Sequence, residues 1–72
     1  MTWTVELRGD GRWAVQRDGS RRADSLHAAK DTAVARGTEL GRRHRGKVRI
    51  KGTDGRVQDE RTYGRGPLPT RG

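Results

Sequence analysis

Two segments near the amino terminus alternate between apolar and polar residues. Every second residue from Trp3 to Leu7 is apolar, and Trp13 and Val15 repeat the pattern further along the chain. A period of two is typical of a β-strand with one buried face. The Gly9-Asp10-Gly11 sequence between the segments contains an Asp-Gly pair, which favours a tight turn. The pattern therefore predicts two antiparallel strands joined by a hairpin turn.

One helix is predicted in the middle of the chain, over residues 28–45. Apolar and small residues recur there at helical spacing, namely Ala29, Ala33, Gly37, Leu40 and Gly41. Gly costs about 1 kcal/mol relative to Ala inside a helix, so two glycines on one face predict that the helix packs closely against a sheet. The last turn is basic, which suits the helix dipole, and Gly46 is predicted to cap it.

Two further strands are predicted after the helix. Residues 47–51 alternate again, with Val48 and Ile50 on the inward side. The Asp54-Gly55 turn then leads into a final strand over residues 57–63. These segments have the same period of two as the first pair, so they are predicted to form a second hairpin.

The segment before the helix, residues 20–27, has two interpretations. It is a short third strand with Ala23 and Leu26 inward, or an irregular connection. With either interpretation the chain is α+β: a small antiparallel sheet of four to five strands with one helix on one face, in the order β-β-(β)-α-β-β. The other face of the sheet is left open to solvent. Residues 1–63 are expected to form a single domain and residues 64–72 a flexible Gly/Pro/Arg tail.

The predicted core is small. Its members are Trp3, Val5, Leu7, Trp13, Val15, Leu26, Val34, Leu40, Val48, Ile50, Val57 and Tyr63. Hydrophobic residues make up only 28% of the 72, so we expect a marginally stable domain that dimerisation would stabilise further. Cys is absent, which excludes disulfides and Cys-based metal sites.

Several of these features together resemble a known bacterial family. The chain has a Trp-x-Val strand, Leu26-His27 before a helix led by Lys30, and a hairpin at Asp54-Gly55 that ends in Arg61-Thr62-Tyr63-Gly64. They resemble the family called domain of unknown function 2188 over nearly the whole chain, from about Trp3 to Pro69. The resemblance implies a small cytosolic module and no catalytic residues, because the family name carries no activity.

One position departs from the pattern of that family. Its members tend to have Asp, Ser or Thr directly before the helix, where this chain has Ala28-Ala29. The ordinary helix N-cap is therefore missing, and Ser25 or Asp24 is expected to cap the helix instead.

The sequence carries no recognisable catalytic or metal-binding constellation. His27 and His44 are the only histidines, and neither has an acidic residue at ligand spacing. Asp59 and Glu60 are adjacent in a predicted strand and point to opposite faces, so Asp59 is expected to neutralise Arg61 instead. We therefore predict a protein that is not an enzyme and has no cofactor, metal or small-molecule substrate. With no signal peptide and no long apolar run, we expect a cytoplasmic location and no membrane partner.

Positive charge is the strongest functional signal. Lys and Arg number 17 against nine acids, which gives a net charge of +8. Six cations cluster at the helix end and along the following strand, and three more are expected at outward positions of other strands. On the open face of the sheet they would form one continuous comb that contacts phosphates. The predicted nucleic-acid-binding residues are Arg42, Arg43, Arg45, Lys47, Arg49 and Lys51, with Arg8, Arg12 and Arg56 as secondary members.

Two functions fit this charge. The first is a non-catalytic nucleic-acid-binding module that contacts phosphates with little sequence preference. Double-stranded DNA is its favoured ligand. Both tryptophans fall on the same side of their strands as the predicted core residues, so they leave no exposed ring for base stacking. The alternative is a protein-interaction module or a self-associating homodimer that uses an edge strand or the Pro67-Leu68-Pro69 tail. In that case the arginines reflect coding bias and solubility.

Overall fold

The computed structural model describes residues 1–64 and confirms the α+β class. The elements are β1 (Thr2–Leu7), β2 (Trp13–Arg17), β3 (Ser25–His27), α1 (Lys30–His44), β4 (Lys47–Lys51) and β5 (Val57–Thr62). The short third strand is present and occupies the last three residues of the segment 20–27. Within residues 1–64, α1 is too short and too polar to serve as a membrane-spanning helix. Beyond Gly64, the predicted tail lies outside the described residues.

Two Asp-Gly turns close hairpins, as the sequence predicts. Gly11 lies between β1 and β2, and Gly55 lies between β4 and β5. Their φ angles are 86° and 81°, in the region that residues with a Cβ rarely adopt. Asp10 and Asp54 each accept a hydrogen bond from the backbone N–H two residues later, at 3.0 Å. The Asp side chain therefore fixes the turn, and the Gly supplies its backbone conformation.

The five strands form one sheet in the order β3-β2-β1-β4-β5. Neighbouring strands are antiparallel except at the centre, where β1 and β4 run parallel with Thr2 beside Lys47 and Val5 beside Ile50. The helix causes this parallel pair, because it returns the chain to the end of the sheet at which β1 begins. The sheet is thus mixed and mostly antiparallel, and the antiparallel prediction fails only for the β1–β4 pair.

The helix packs against one face of the sheet through its two glycines. A Cβ added at Gly37 would lie 2.9 Å from Val5 Cγ2, and one added at Gly41 would lie 2.5 Å from Val48 Cγ2. Val5, Val15 and Val48 are fully buried beneath the helix. The predicted close packing of helix on sheet is therefore confirmed.

Most of the predicted core is buried, including both tryptophans. Leu7, Val34 and Tyr63 are partly buried and pack against this core, whereas Leu26 and Val57 are exposed, with exposed fractions of 41% and 51%. Leu26 pairs with Ala14 on the face that α1 leaves uncovered. Val57 pairs with Lys51 just past a register shift, which turns Val57 to the same uncovered face. Their assignment to the core is wrong. A three-residue strand is too short for its alternation to show which residues face the helix, and a bulge that reverses the alternation has no signal in the sequence.

The helix begins without a side-chain cap. Ala29 is the N-cap residue and makes no side-chain cap hydrogen bond. The two expected caps are engaged elsewhere: Asp24 accepts a hydrogen bond from Arg36 at 3.0 Å, and the Ser25 hydroxyl lies 2.8 Å from His27 Nε2 within β3. The prediction that either residue caps the helix is therefore wrong.

The helix ends on a non-glycine residue in a left-handed conformation. Arg45 is the C-cap, with φ 53° and ψ 45°. Gly46, the predicted cap, comes one residue later, and its N–H donates to the Gly41 carbonyl at 2.8 Å. Gly46 is buried against the backbone of Met1, so it has no room for a side chain. The C-cap is therefore Arg45, one residue before the predicted Gly46.

Candidate nucleic-acid interface

The face of the sheet that α1 leaves uncovered, called the open face below, carries the cations predicted for it. Lys47, Arg49 and Lys51 alternate with the buried Val48 and Ile50 along β4. Because α1 covers the side of Val48 and Ile50, the three cations project from the open face. Their geometric placement agrees with the sequence analysis.

Two of these three cations are paired with carboxylates. Arg49 Nε lies 3.0 Å from Glu60 Oε2, and Arg49 Nη1 lies 3.7 Å from Asp18 Oδ2. Lys51 Nζ lies 3.2 Å from Glu6 Oε1. Arg49, Lys51, Glu6 and Asp18 line a polar cleft of about 490 Å³ on the open face. The expected continuous comb is therefore interrupted, because acids from β1, β5 and the end of β2 face the cations of β4.

The three secondary members of the predicted site lie at the opposite end of the sheet from the helix terminus. Arg8 and Arg12 flank the turn after β1, and Arg56 lies in the turn before β5. The prediction that they occupy outward strand positions is wrong. The strand from Lys47 to Lys51 alone spans about 13 Å, so these arginines do not join the cations at the helix end.

The end of the sheet at which β1 and β4 begin gathers the remaining cations. The helix terminates there, so Arg42 and Arg45 lie at the same end of the domain as Lys47. The loop from β2 to β3 turns at the same end and adds arginines that the sequence analysis missed, because their proximity depends on the path of this loop. We call the following six residues the basic end: Arg17, Arg21, Arg22, Arg42, Arg45 and Lys47.

Trp3 connects the two halves of the basic end. It pairs with Arg17 across β1 and β2, and its ring centroid lies 5.8 Å from the ring of His44 in the last helical turn. The backbone N–H of Lys47 donates to the Met1 carbonyl at 2.8 Å. Arg17, Arg22 and the last turn of the helix therefore adjoin the same buried indole.

None of the six cations of the basic end forms an ion pair with a carboxylate in residues 1–64. Acids in this half of the domain are occupied by other arginines. Asp24 lies 3.0 Å from Arg36, and Glu39 contacts Arg36 at 3.0 Å and Arg43 at 3.3 Å. The hydrogen bond to Asp24, followed by the one to Glu39, raises the pKa of Arg36. Arg43, a predicted site residue, is thus partly neutralised.

A small cleft opens within the basic end. Its walls are formed by Trp3, Arg17, Ser20, Arg22, Ala23 and Asp24, whose carboxylate is bound by Arg36, and its volume is about 230 Å³. Trp3 is 7% exposed, and its buried Nε1 has no hydrogen-bond acceptor within residues 1–64. Guanidinium groups donate paired hydrogen bonds to phosphate oxygens. Two arginines without a carboxylate partner beside one cleft therefore suit a phosphate group.

The carboxyl end of β5 supports the arginines of the helix terminus. Arg42 Cζ lies 5.6 Å from the centroid of the Tyr63 ring, within cation–π distance. The Tyr63 N–H donates to the Gly46 carbonyl at 2.8 Å, which holds the ring beside the helix. Arg42 therefore has a defined position instead of extending freely into solvent.

The remaining polar groups named in the sequence analysis make local contacts. Asp59 Oδ2 lies 3.0 Å from Arg61 Nε, as predicted, and this hydrogen bond raises the pKa of Arg61. The His27 Nε2 atom lies within hydrogen-bond distance of the Ser25 hydroxyl, at 2.8 Å. Across residues 1–64, His, Asp and Glu side chains form no group of three that could hold a metal ion.

The described domain is similar to a bacterial protein family. Residues 3–63 match the family described as "Uncharacterized protein conserved in bacteria (DUF2188)". This is the family that the sequence resembles, so that prediction is confirmed, although the match ends at Tyr63 and the resemblance was expected to reach Pro69. No curated protein and no solved structure matches the chain.

Proposed function

The chain belongs to the bacterial family DUF2188, and we propose that it is a non-catalytic module that binds nucleic acid, with double-stranded DNA as the favoured form. The basic end makes the contacts, and backbone phosphates are the groups contacted. One observation carries the proposal. Six cations from two separate segments meet at one end of the domain, and none has an ion-pair partner within residues 1–64.

The type of cation also favours phosphate. Five of the six residues of the basic end are arginines, and a guanidinium can donate two parallel hydrogen bonds to one phosphate. Each phosphate that a cation neutralises releases condensed counterions, so the logarithm of the binding constant falls linearly with the logarithm of salt concentration. Six such contacts correspond to a slope of about −5 on duplex DNA.

The aromatic residues favour backbone contacts over base stacking. Trp3 and Trp13 are 7% and 8% exposed, so their rings offer little surface to a base. Tyr63 is half-buried and packs beside Arg42. Sequence-specific and single-strand readers generally rely on exposed aromatic platforms or on base edges. The burial of these rings therefore supports a ligand held by its phosphates, with little sequence preference.

The conformation of Arg45 supports the proposal independently. A left-handed backbone costs a residue with a Cβ about 1 kcal/mol relative to Gly. Strained residues of this kind concentrate at functional sites. The chain thus has a guanidinium at a position where Gly would be more stable, and this guanidinium belongs to the basic end.

Fluorescence anisotropy with a labelled 20-base-pair DNA duplex tests the proposal. The full chain is titrated at 50 mM and 200 mM salt, and single-stranded DNA and duplex RNA serve as comparison ligands. We expect duplex binding at 50 mM that weakens steeply at 200 mM. The double variants Arg17→Gln/Arg22→Gln and Arg45→Gln/Lys47→Gln should each lose about tenfold or more in affinity, because each removes two charge-assisted contacts.

Arg8→Gln/Arg56→Gln is the matched control, since it removes the same charge from the opposite end of the sheet. It should change the affinity by no more than about threefold, through net charge alone. An equal loss in all three double variants would exclude a localised interface. The absence of binding to every ligand at 50 mM salt would refute the function itself.

A further inference from the structure

A groove runs between α1 and β5 on the helix side of the sheet. It arises because α1 packs mainly over β1 to β4, so β5 extends past the helix. Val34, Ala35 and Thr38 of the helix and Arg61 of β5 line a cavity of about 470 Å³, and the Arg61 guanidinium donates to the Thr38 hydroxyl at 3.5 Å. Among the residues that line this α1–β5 groove, Arg42, in the last turn of α1, alone belongs to the basic end. It therefore needs an explanation separate from phosphate binding.

The helix wall of the groove carries a negative charge at one end, Asp31, and a positive charge at the other, Arg42. Asp31, Ala35, Thr38 and Arg42 follow each other at intervals of four, three and four residues, which places them in one row along the helix. Asp31 and Arg42 stand about 16 Å apart at the ends of this row. Neither forms an ion pair within residues 1–64.

We propose that the α1–β5 groove is covered by a second copy of this chain, with the two α1 helices antiparallel about a two-fold axis. The axis passes between Ala35 and Thr38, the midpoint of the row. Asp31 of each copy then lies opposite Arg42 of the partner subunit, and the interface contains this ion pair twice. The short side chains of Ala35 and Thr38 at the axis allow the helices to approach closely.

Charge complementarity selects a second copy as the occupant. The groove carries Asp31 and Glu39 against Arg42 and Arg61, so it is locally neutral although the chain has a net charge of +8. Antiparallel pairing through the β5 edge is less favourable, because Asp59 and Glu60 at the middle of that strand would lie opposite acidic residues of the partner subunit. The pairing needs no ligand, and because it engages Arg42, the phosphate contacts of the dimer rest on the other five residues of the basic end.

Charge exchange combined with a mass measurement tests this dimer. Light scattering on the full chain at about 0.5 mM, in a range suited to weak interfaces, should give about 16 kDa, twice the chain mass of 8.1 kDa. Asp31→Arg and Arg42→Asp should each give the monomer mass, since like charges then face each other. The double variant Asp31→Arg/Arg42→Asp restores opposite charges and should restore the dimer. Circular dichroism confirms that each variant is folded.

A second variant avoids the helix ends, where charge exchange also opposes the helix dipole. Ala35 is exposed, so Ala35→Arg should keep the fold and place two cations at the two-fold axis, which gives a monomer. Thr53→Arg, at an exposed position in the turn remote from the groove, adds the same charge; it is the matched control and should remain dimeric. A wild-type monomer at about 0.5 mM, a dimeric Ala35→Arg, or a folded double variant that stays monomeric would each overturn the proposal.

Discussion

Gly41 of α1 lies so close to Val48 of β4 that a Cβ at position 41 would stand 2.5 Å from Val48 Cγ2. The Tyr63 ring closes the other side at 3.1 Å. We expect Gly41→Ala to lower the free energy of unfolding by about 1–3 kcal/mol, because overpacking outweighs the gain in helix propensity. Urea denaturation followed by Trp fluorescence measures the change. Thr32→Ala, on the exposed side of α1, is the control, and a more stable Gly41→Ala would contradict the close packing.

Arg45→Gly should change stability and binding in opposite directions. Removing the side chain relieves the left-handed backbone at φ 53°, so the free energy of unfolding should rise by about 1 kcal/mol. The same change removes one cation of the basic end and should weaken duplex binding. Arg43→Gly, in the last turn of the helix, should instead lower stability by about 1 kcal/mol. Thermal unfolding measures the stability of both variants, and fluorescence anisotropy measures their duplex affinity. An Arg45→Gly variant less stable than the wild type would contradict the expectation.

Asp24 and Arg36 tie the loop after β2 to the helix. Their side chains are 24% and 34% exposed and lie 3.0 Å apart. A double-mutant cycle with Asp24→Asn and Arg36→Gln should give a small favourable coupling free energy, in the range of partly solvated ion pairs. Hydrogen exchange of the loop amides should accelerate in both single variants. Additive effects of the two substitutions would mean that the pair does not hold the loop.

The cations of the open face should matter more for stability than for binding. Arg49→Gln removes the partner of Glu60 and Asp18, and Lys51→Gln removes the partner of Glu6. We expect the double variant to lose about 1 kcal/mol of stability and no more than about threefold in duplex affinity. Chemical denaturation and anisotropy give the two values. A loss as large as that of Arg17→Gln/Arg22→Gln would place the interface on the open face instead.

Local patterns in the sequence predict the elements of this fold well. Alternation marks β1, β2 and β4, and the glycines of α1 predict its close contact with the sheet. The errors arise where long-range geometry decides. The parallel pairing of β1 with β4 depends on where the helix returns the chain, and the bulge that exposes Val57 depends on the register of β5 against β4.

The candidate site was harder to predict than the fold, for a related reason. The sequence shows where cations are dense, and it correctly places Lys47, Arg49 and Lys51 on one face. It does not show that acids from three other segments meet Arg49 and Lys51 there. Nor does it show that the last residue of β2 and the loop after it bring Arg17, Arg21 and Arg22 to the end of the sheet at which the helix terminates. Both relations follow from tertiary contacts that have no local signature.

The central position of the β1–β4 pair also governs how the chain reaches its native state. The two strands at the middle of the sheet are separated in sequence by β2, β3 and the whole of α1. A chain emerging from the ribosome cannot close its sheet until β4 has been synthesised, and until then β1 exposes an unpaired apolar edge. Such non-local closure slows folding, so a product truncated after α1 should aggregate instead of folding.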